Sequence, residues 1–213
     1  MATITSNGHS SLRMEDEAGK VVYFDPFRIE EGNADADVIF ITHSHYDHYD
    51  PESIEAVRKE GTLFVAPADV AADLRKNGEP DDIITEVVPA QYYEVDGISF
   101  KTVAAYNLES DYHPREKNWV GYVVELDGKR IYVAGDTDET PEALATICNT
   151  IIVPVGGTYT MNFEQAAHLV LTMNTRPVKA IPTHYGSVVG SNLEGPKFDF
   201  LLPGSIKVDL LYY

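Results

Sequence analysis

Residues 43–48 read His-Ser-His-Tyr-Asp-His, which places three imidazoles and one carboxylate within a single turn of chain. The chain has seven histidines in all, so three in one hexapeptide is more than a solvated polar loop calls for. Imidazole nitrogen and carboxylate oxygen suit zinc, iron and manganese, and four such groups this close serve two ions better than one. The apolar run Val38-Ile39-Phe40-Ile41 stands immediately before them. A β-strand that runs into a loop would deliver His43, His45, Asp47 and His48 together at its end.

Two later segments repeat that design. Lys129-Arg130-Ile131-Tyr132-Val133-Ala134 reads as a strand ending in Gly135-Asp136-Thr137, and Val178-Lys179-Ala180-Ile181 as another ending in Pro182-Thr183-His184-Tyr185-Gly186. In all three, an apolar strand hands a ligand-type side chain to a loop rich in small or turn-forming residues. Layered α/β folds gather sites beyond strand ends, where loops converge without disturbing the core.

The elements that must position these groups follow from local signals. Strands are expected at Ser11 to Glu15 and Lys20 to Phe24, then from Val38 into the histidine cluster. Asp50-Pro51 supplies an N-cap and a first-turn proline for a helix from Pro51 to Glu60. Thr62 to Ala66 reads as a strand, and Pro67 to Lys76 as a helix closed by Asn77-Gly78. Strands follow at Ile83 to Val88, Tyr92 to Val95, Ile98 to Ala105, Trp119 to Leu126 and Lys129 to Ala134, the last two joined by the hairpin dipeptide Asp127-Gly128. Thr140-Pro141-Glu142 opens a short helix, Thr150 to Val155 is a buried strand, Asn162 to Asn174 a helix, and strands from Val178 and from Ile206 to Leu211 close the chain. The helices are too few to cover one parallel sheet twice, which points to an α/β arrangement of two facing sheets flanked by helices.

Length and composition bound the rest. At 213 residues the chain fits one domain, 1–213, and 44% hydrophobic content is ample for a large core. The single cysteine, Cys148, cannot form an intrachain disulfide, and beside Ile151-Ile152-Val153 it reads as a buried thiol. The start lacks the basic and long apolar regions of a secretory signal, and no apolar run approaches membrane-spanning length, so the expected location is the cytoplasm. The formal charge of −18, from 34 acidic and 16 basic residues, repels phosphate backbones and anionic bilayers. The expected partner is therefore a small-molecule substrate, with no nucleic acid and no membrane, and homo-oligomerisation is left open.

The HxHxDH segment, the downstream Gly135-Asp136-Thr137 and the final Thr183-His184-Tyr185-Gly186 together resemble the metallo-β-lactamase superfamily of dinuclear metallohydrolases. The resemblance runs over nearly the whole chain. Gly8-His9-Ser10-Ser11 looks like the opening of the lactonase-like and phospholipase-D-like branches, as do Ala105-Tyr106-Asn107, Val120-Gly121-Tyr122 and the stretch from Val155 to Met161. HxHxDH is highly specific, whereas the other two motifs gain weight only from their order. The resemblance implies a four-layer αββα sandwich. It also implies two divalent ions, zinc first, with manganese or iron as alternatives. His43, His45 and one further histidine would hold the first ion, Asp47, His48 and His184 the second, and Asp136 would bridge both. Asp47 would also orient the attacking hydroxide or take its proton.

The further histidine is His9, His113 or His168. On the helix from Asn162, Phe163, Ala166, Val170 and Met173 form the apolar face and His168 projects away from it, as a surface histidine would. The family's histidine at the His9 position is not usually counted among the ligands. His113 precedes Pro114, which favours an extended loop, and its place in the order matches the family's third ligand. His113 is therefore preferred, against the alternative of a hydrogen-bonded loop histidine. Tyr185, and Tyr159 or Thr158, are candidates to donate to an oxyanion, and Tyr106 and Asn107 open the loop that carries His113. Arg115 and Lys117, two and four positions past His113, read as exposed loop cations, with the countering of an anionic substrate as the lesser alternative.

The expected activity is metal-dependent hydrolysis of a small ester, lactone or phosphodiester-like substrate, with Asp47 and Tyr185 as catalytic candidates. Two alternatives stand beside it. One is a di-iron redox protein, although related proteins of that kind carry an extra flavin domain for which this chain has no room. The other is a metal-stabilised binding protein without catalysis, against which the complete ligand set argues.

Overall fold

The computed structural model describes residues 2–211. The first half contributes β1 (Thr3–Gly8), β2 (Ser11–Glu15), β3 (Val21–Phe24), β4 (Ala36–Phe40), α1 (Pro51–Val57), β5 (Arg58–Pro67), α2 (Ala68–Lys76) and β6 (Ile84–Val87). Then follow β7 (Tyr92–Val95), β8 (Ile98–Ala104), β9 (Val120–Leu126), β10 (Lys129–Val133), α3 (Pro141–Leu144), β11 (Thr150–Pro154), α4 (Phe163–Thr172), β12 (Lys179–Thr183), α5 (Glu194–Leu201) and β13 (Lys207–Val208). Strands β1 to β6 form one sheet in chain order, and the second runs β13-β12-β11-β10-β9-β8-β7. Both are mixed: β1, β2 and β3 pair antiparallel and β3 to β6 parallel, while β7 to β10 pair antiparallel and β10 to β13 parallel.

The alternation of strand side chains builds three apolar layers. In β4, Val38 and Phe40 face the second sheet, and Ile39 turns the other way with Ile41. Between the sheets Phe40 stacks on Phe24 at 4.9 Å and meets Phe100 and Tyr122 edge-on at 5.1 and 5.2 Å. Helices α1 and α2 cover the outside of the first sheet with Ile54, Val57, Val70 and Leu74. On the outside of the second, Leu169, Val170 and Phe198 from α4 and α5 pack over Tyr132, Ile151 and Val153. The order is helix, sheet, sheet, helix, the αββα sandwich expected from the sequence.

The local signals explain most boundaries. Asp50 accepts from the backbone of Glu52 and Pro51 occupies the first turn of α1. Asn162 and Gln165 close a reciprocal capping box on α4. Asp127 and Gly128 both take positive φ, 49° and 68°, as a tight hairpin requires.

Four expectations need correction. Helix α1 stops at Val57, short of Glu60, because Arg58 already pairs with Ala36 across a register shift and Thr62 ties down the intervening turn through Lys59 and Ala36. Strand β1 was not expected. It is an edge strand whose one large apolar residue is Ile4, so it carries no apolar alternation to read. Helix α5 was not expected either, since Gly195 and Pro196 stand in its first turn, where Pro is tolerated although both are poor helix formers. The closing strand is two residues long instead of Ile206 to Leu211.

Candidate metal centre

The three strand ends named by the sequence meet at one edge of the sandwich. His43 follows β4, Asp136 follows β10 and His184 follows β12, while His113 arrives on the loop between β8 and β9. The sheets are joined there by Val120 N–H donating to Thr42 O at 3.2 Å, and His184 N–H donates to His9 O at 3.1 Å. Gly156 lets the loop after β11 lie directly against His184, since a Cβ at this position would lie 2.1 Å from the His184 carbonyl oxygen.

A buried carboxylate orients two of the imidazoles. Asp25, at the end of β3, accepts from Thr42 N at 2.8 Å, from Thr42 Oγ1 at 2.7 Å and from His48 Nδ1 at 2.7 Å. An ionised carboxylate only accepts, so His48 carries its proton on Nδ1 and turns Nε2 inward. Thr42 spends its own proton on Asp25 and accepts from His43 Nδ1 at 2.9 Å, which turns His43 Nε2 inward as well. Asn107 does the same for His113, accepting its Nδ1–H at 2.8 Å and its backbone N–H at 3.1 Å. Fixing the outer nitrogen is how proteins select the metal-binding tautomer.

The inward atoms form two groups. His43, His45 and His113 make the first; Asp47, His48 and His184, with His9, make the second, and within each group the ligand atoms lie within 4.8 Å of one another. Asp136 lies between them. Its Oδ2 is 3.2 Å from His113 Nε2 and 3.1 Å from His184 Nε2, and its Oδ1 is 3.3 Å from His48 Nε2. His43 Nε2 and His45 Nδ1 are 3.1 Å apart, and His184 Nε2 is 3.5 Å from Asp47 Oδ2. Metal–ligand bonds of about 2.0–2.2 Å in a tetrahedron set ligand atoms roughly 3.3–3.6 Å apart, so the residues fit divalent ions. His48 Nε2, His113 Nε2 and Asp136 Oδ1 are also buried without a well-aligned hydrogen bond, a costly arrangement for atoms whose purpose is anything but ligation.

The electrostatics agree with that fit. Burial, reinforced by His48, pushes His43 well below the ordinary imidazole range, and burial with His113 lowers His45. Burial would raise Asp136, but His184 and His48 outweigh it and hold the carboxylate well below its usual range. Asp47 is lowered too, because hydrogen bonds with His184 and His9 overcome its burial. For His184 burial is overcome by the Asp136 carboxylate, which lifts it to about 9, and His48 is raised in the same way. A divalent ion must displace those protons, so affinity is expected to fall in acid. Three residues of the centre, His9, Asp25 and His184, hold left-handed backbone at φ 52°, 46° and 57°. Such strain costs on the order of 1–3 kcal/mol each and persists where the surroundings dictate it.

Trp119, the chain's single tryptophan, floors the first group. Its ring centroid is 5.0 Å from His43, 4.8 Å from His45 and 5.7 Å from His113, and its indole N–H donates to Asp69 at 2.8 Å. Asp69 also accepts from Ser44 at 2.8 Å, fixing the turn between two imidazoles. Intrinsic fluorescence therefore reports on this group directly. Titrating Co²⁺ into metal-stripped protein is expected to quench the tryptophan emission, and to need more metal at pH 6 than at pH 8. Emission that ignores the metal would place the ion elsewhere.

The other residues named from sequence divide clearly. His168 is exposed on α4 and pairs with Glu139 at 2.6 Å, away from the centre. His9 Nε2 lies 3.0 Å from Asp47 Oδ2, which ties it to the second group. Tyr185 departs from its expected role: it is buried in the core between the second sheet and α5, with its hydroxyl against Gly195, and it does not line the cavity beside the ligands. Tyr159 does line that cavity. Arg115 pairs with Glu142 at 2.7 Å and lies over Tyr106, and Lys117 lies over Trp119. Cys148 is buried, which pushes its thiol up to about 12.

Sequence reading missed Thr42, Asp25 and Asp69. Only Asp25 had a usable signal, because Val21-Val22-Tyr23-Phe24-Asp25-Pro26 repeats the pattern of an apolar strand handing an acid to a turn.

The profile of the β-lactamase superfamily domain matches residues 3–184. A UPF0173 metal-dependent hydrolase of Thermococcus onnurineus is 33% identical over 199 residues, covering 88% of this chain and 86% of the relative. Among solved structures, a candidate metal-dependent hydrolase from Parabacteroides distasonis is 30% identical with a TM-score of 0.79, over 98% of this chain and 91% of the other. Igni18, a metallo hydrolase from Ignicoccus hospitalis, is similar in fold at a TM-score of 0.78 and 24% identity, over 98% and 94% of the two chains.

Proposed function

Given that this chain belongs to the metallo-β-lactamase superfamily and is a metal-dependent hydrolase, we propose that it works through a dinuclear centre on a small ester, lactone or phosphodiester-like substrate. The observation that carries this reading is Asp136, whose carboxylate lies within 3.3 Å of imidazole nitrogens from both ligand groups. His43, His45 and His113 would hold one ion and Asp47, His48 and His184 the other, with Asp136 within reach of both groups. Zinc suits this nitrogen-rich set, and manganese or iron is the alternative. When bound, such a pair lowers the pKa of water and polarises the bond to be broken.

The protein's own groups do the rest. Asp25, Thr42 and Asn107 keep the imidazoles in the ligating tautomer. Asp47 offers the second group one carboxylate and stands at the cavity wall, where it can take a proton from water, while His9 holds its orientation. Chelation is expected to abolish hydrolysis across a panel of esters, lactones and phosphodiesters, and zinc or manganese to restore it. Hydrolysis that survives chelation would defeat the reading.

The partner proposed is a small molecule. Net charge −18 removes the counterion-release drive for nucleic acid, so no duplex DNA binding is expected at physiological salt. Tight, salt-sensitive binding in a gel-shift titration would overturn this. No helix among the described residues is long and apolar enough to cross a membrane.

A further inference from the structure

His113 is held differently from the other candidate ligands. His43, Asp136 and His184 closely follow the ends of β4, β10 and β12, whereas His113 lies in the middle of the long irregular stretch between Ala104 and Val120. That stretch closes on itself. Asn107 N–H donates to His113 O at 2.9 Å, and His113 N–H and Nδ1–H donate back to Asn107 Oδ1 at 3.1 and 2.8 Å. Ser110 Oγ donates to the same oxygen at 2.8 Å. Residues 107–113 therefore form a loop pinched at its base by one buried Asn–His pair, and wherever Asn107 is held, His113 is held with it.

The other end of the amide holds Asn107 itself. Its Nδ2 donates to Asp138 Oδ1 at 3.1 Å and to Tyr159 O at 3.2 Å. The amide has one workable orientation, because its oxygen faces a backbone N–H and its nitrogen faces a backbone carbonyl. Asp138 also accepts from Leu108 N at 2.8 Å through Oδ2, and its own N–H donates to Tyr106 O at 3.0 Å. One carboxylate thus grips the first two residues of the pinched loop. Asp138 belongs to neither ligand group, yet it stands two residues past Asp136 on the turn after β10. That turn carries the carboxylate between the two groups and also the anchor of the loop that brings in His113.

We propose that Asp138 is a positioning residue for the first metal ion, fixing through Asn107 where His113 Nε2 stands relative to Asp136. This rests on the two-ion reading above and concerns a residue outside its ligand set. A loop without this anchor must order itself each time the ion binds, and the ordering cost is subtracted from affinity. Among the described residues Asp138 makes no bond to Asp47, His48 or His184, so the second ion does not depend on it.

The test titrates metal-stripped full-length protein with Co²⁺ at buffered free-metal concentrations. Bound ions are counted by equilibrium dialysis, and the first group is followed through Trp119 emission. Asp138→Ala is expected to weaken the first ion about tenfold and leave the second within about twofold. The exchange Asn107→Asp/Asp138→Asn reverses donor and acceptor: the acid at 107 still accepts from His113, and its other oxygen accepts from the amide at 138. It should bring the first Kd back to within about threefold of the parent. Asn107→Asp/Asp138→Ala has the same acid at 107 but no donor facing it, and should stay weakened. An unchanged first Kd in Asp138→Ala, equal weakening of both ions, an exchange variant no better than Asp138→Ala, or recovery in Asn107→Asp/Asp138→Ala overturns the proposal. His113→Ala is titrated alongside. If it keeps the first ion, the ligand assignment itself fails and the proposal with it; if it loses that ion while Asp138→Ala does not, only the positioning role falls.

Discussion

Asp136→Ala is expected to abolish turnover. Among the described residues, the substitution removes the only carboxylate that reaches nitrogens of both ligand groups, at 3.1, 3.2 and 3.3 Å. It also removes the strongest anionic support of His48 and His184, leaving His48 with Asp25 and His184 with Asp47. A two-metal site contributes several kcal/mol to stabilising the charge of a hydrolytic transition state, and each ~1.4 kcal/mol is tenfold in rate. The loss in kcat/KM should therefore be about 10³-fold or more, measured on any substrate the parent hydrolyses. Asp136→Asn is the companion variant, since it keeps shape and one oxygen while removing the charge, and it should be nearly as damaging. Full activity in either would remove the proposed mechanism.

His113→Ala is expected to separate the two ions. His113 is buried, its Nδ1 is committed to Asn107, and its Nε2 faces Asp136 and the first ligand group. Losing one of three nitrogens should empty that group after dialysis and leave the Asp47, His48 and His184 group loaded, so the variant should retain about one ion where the parent retains two. Asn107→Ala keeps the ligand but frees its ring, and should weaken the first ion by roughly 10–100-fold, the usual cost of losing an orienting partner. His168→Ala is the control. Its imidazole is exposed and paired with Glu139, and both ions should remain. Full occupancy and activity in His113→Ala would mean that water or another side chain completes the first group.

How legible all this was depended on where each residue's instruction is written. Strand β4 and the turn after it were readable because one short stretch holds both the apolar run and the ligand-type residues, and the same is true of β10 with Asp136 and β12 with His184. His113 could be placed only by its order along the chain, because nothing local distinguishes a loop histidine that ligates from one that is merely hydrogen-bonded. The orienting groups were harder still. Thr42 and Asp69 are common residue types whose role is created by partners distant in sequence, Asp25 for Thr42 and Ser44 and Trp119 for Asp69. Tyr185 misled for the converse reason. Adjacency to His184 suggested the cavity, but Tyr185 sits between left-handed backbone at His184 and Gly186, and its side chain lies in the core. Strand β1 and helix α5 were illegible because an edge strand with Ile4 as its one large apolar residue and a helix with Gly-Pro in its first turn carry no periodic signal, and tertiary packing decides both.

The central claim is that one chain holds two ions on seven residues: His43, His45, Asp47, His48, His113, Asp136 and His184. Elemental analysis of the purified protein, after exhaustive dialysis against metal-free buffer at neutral pH, tests it most directly. The account predicts close to two transition-metal ions per chain, zinc foremost, with the count falling together as the pH is lowered. A stoichiometry of one ion in fully active protein would contradict it.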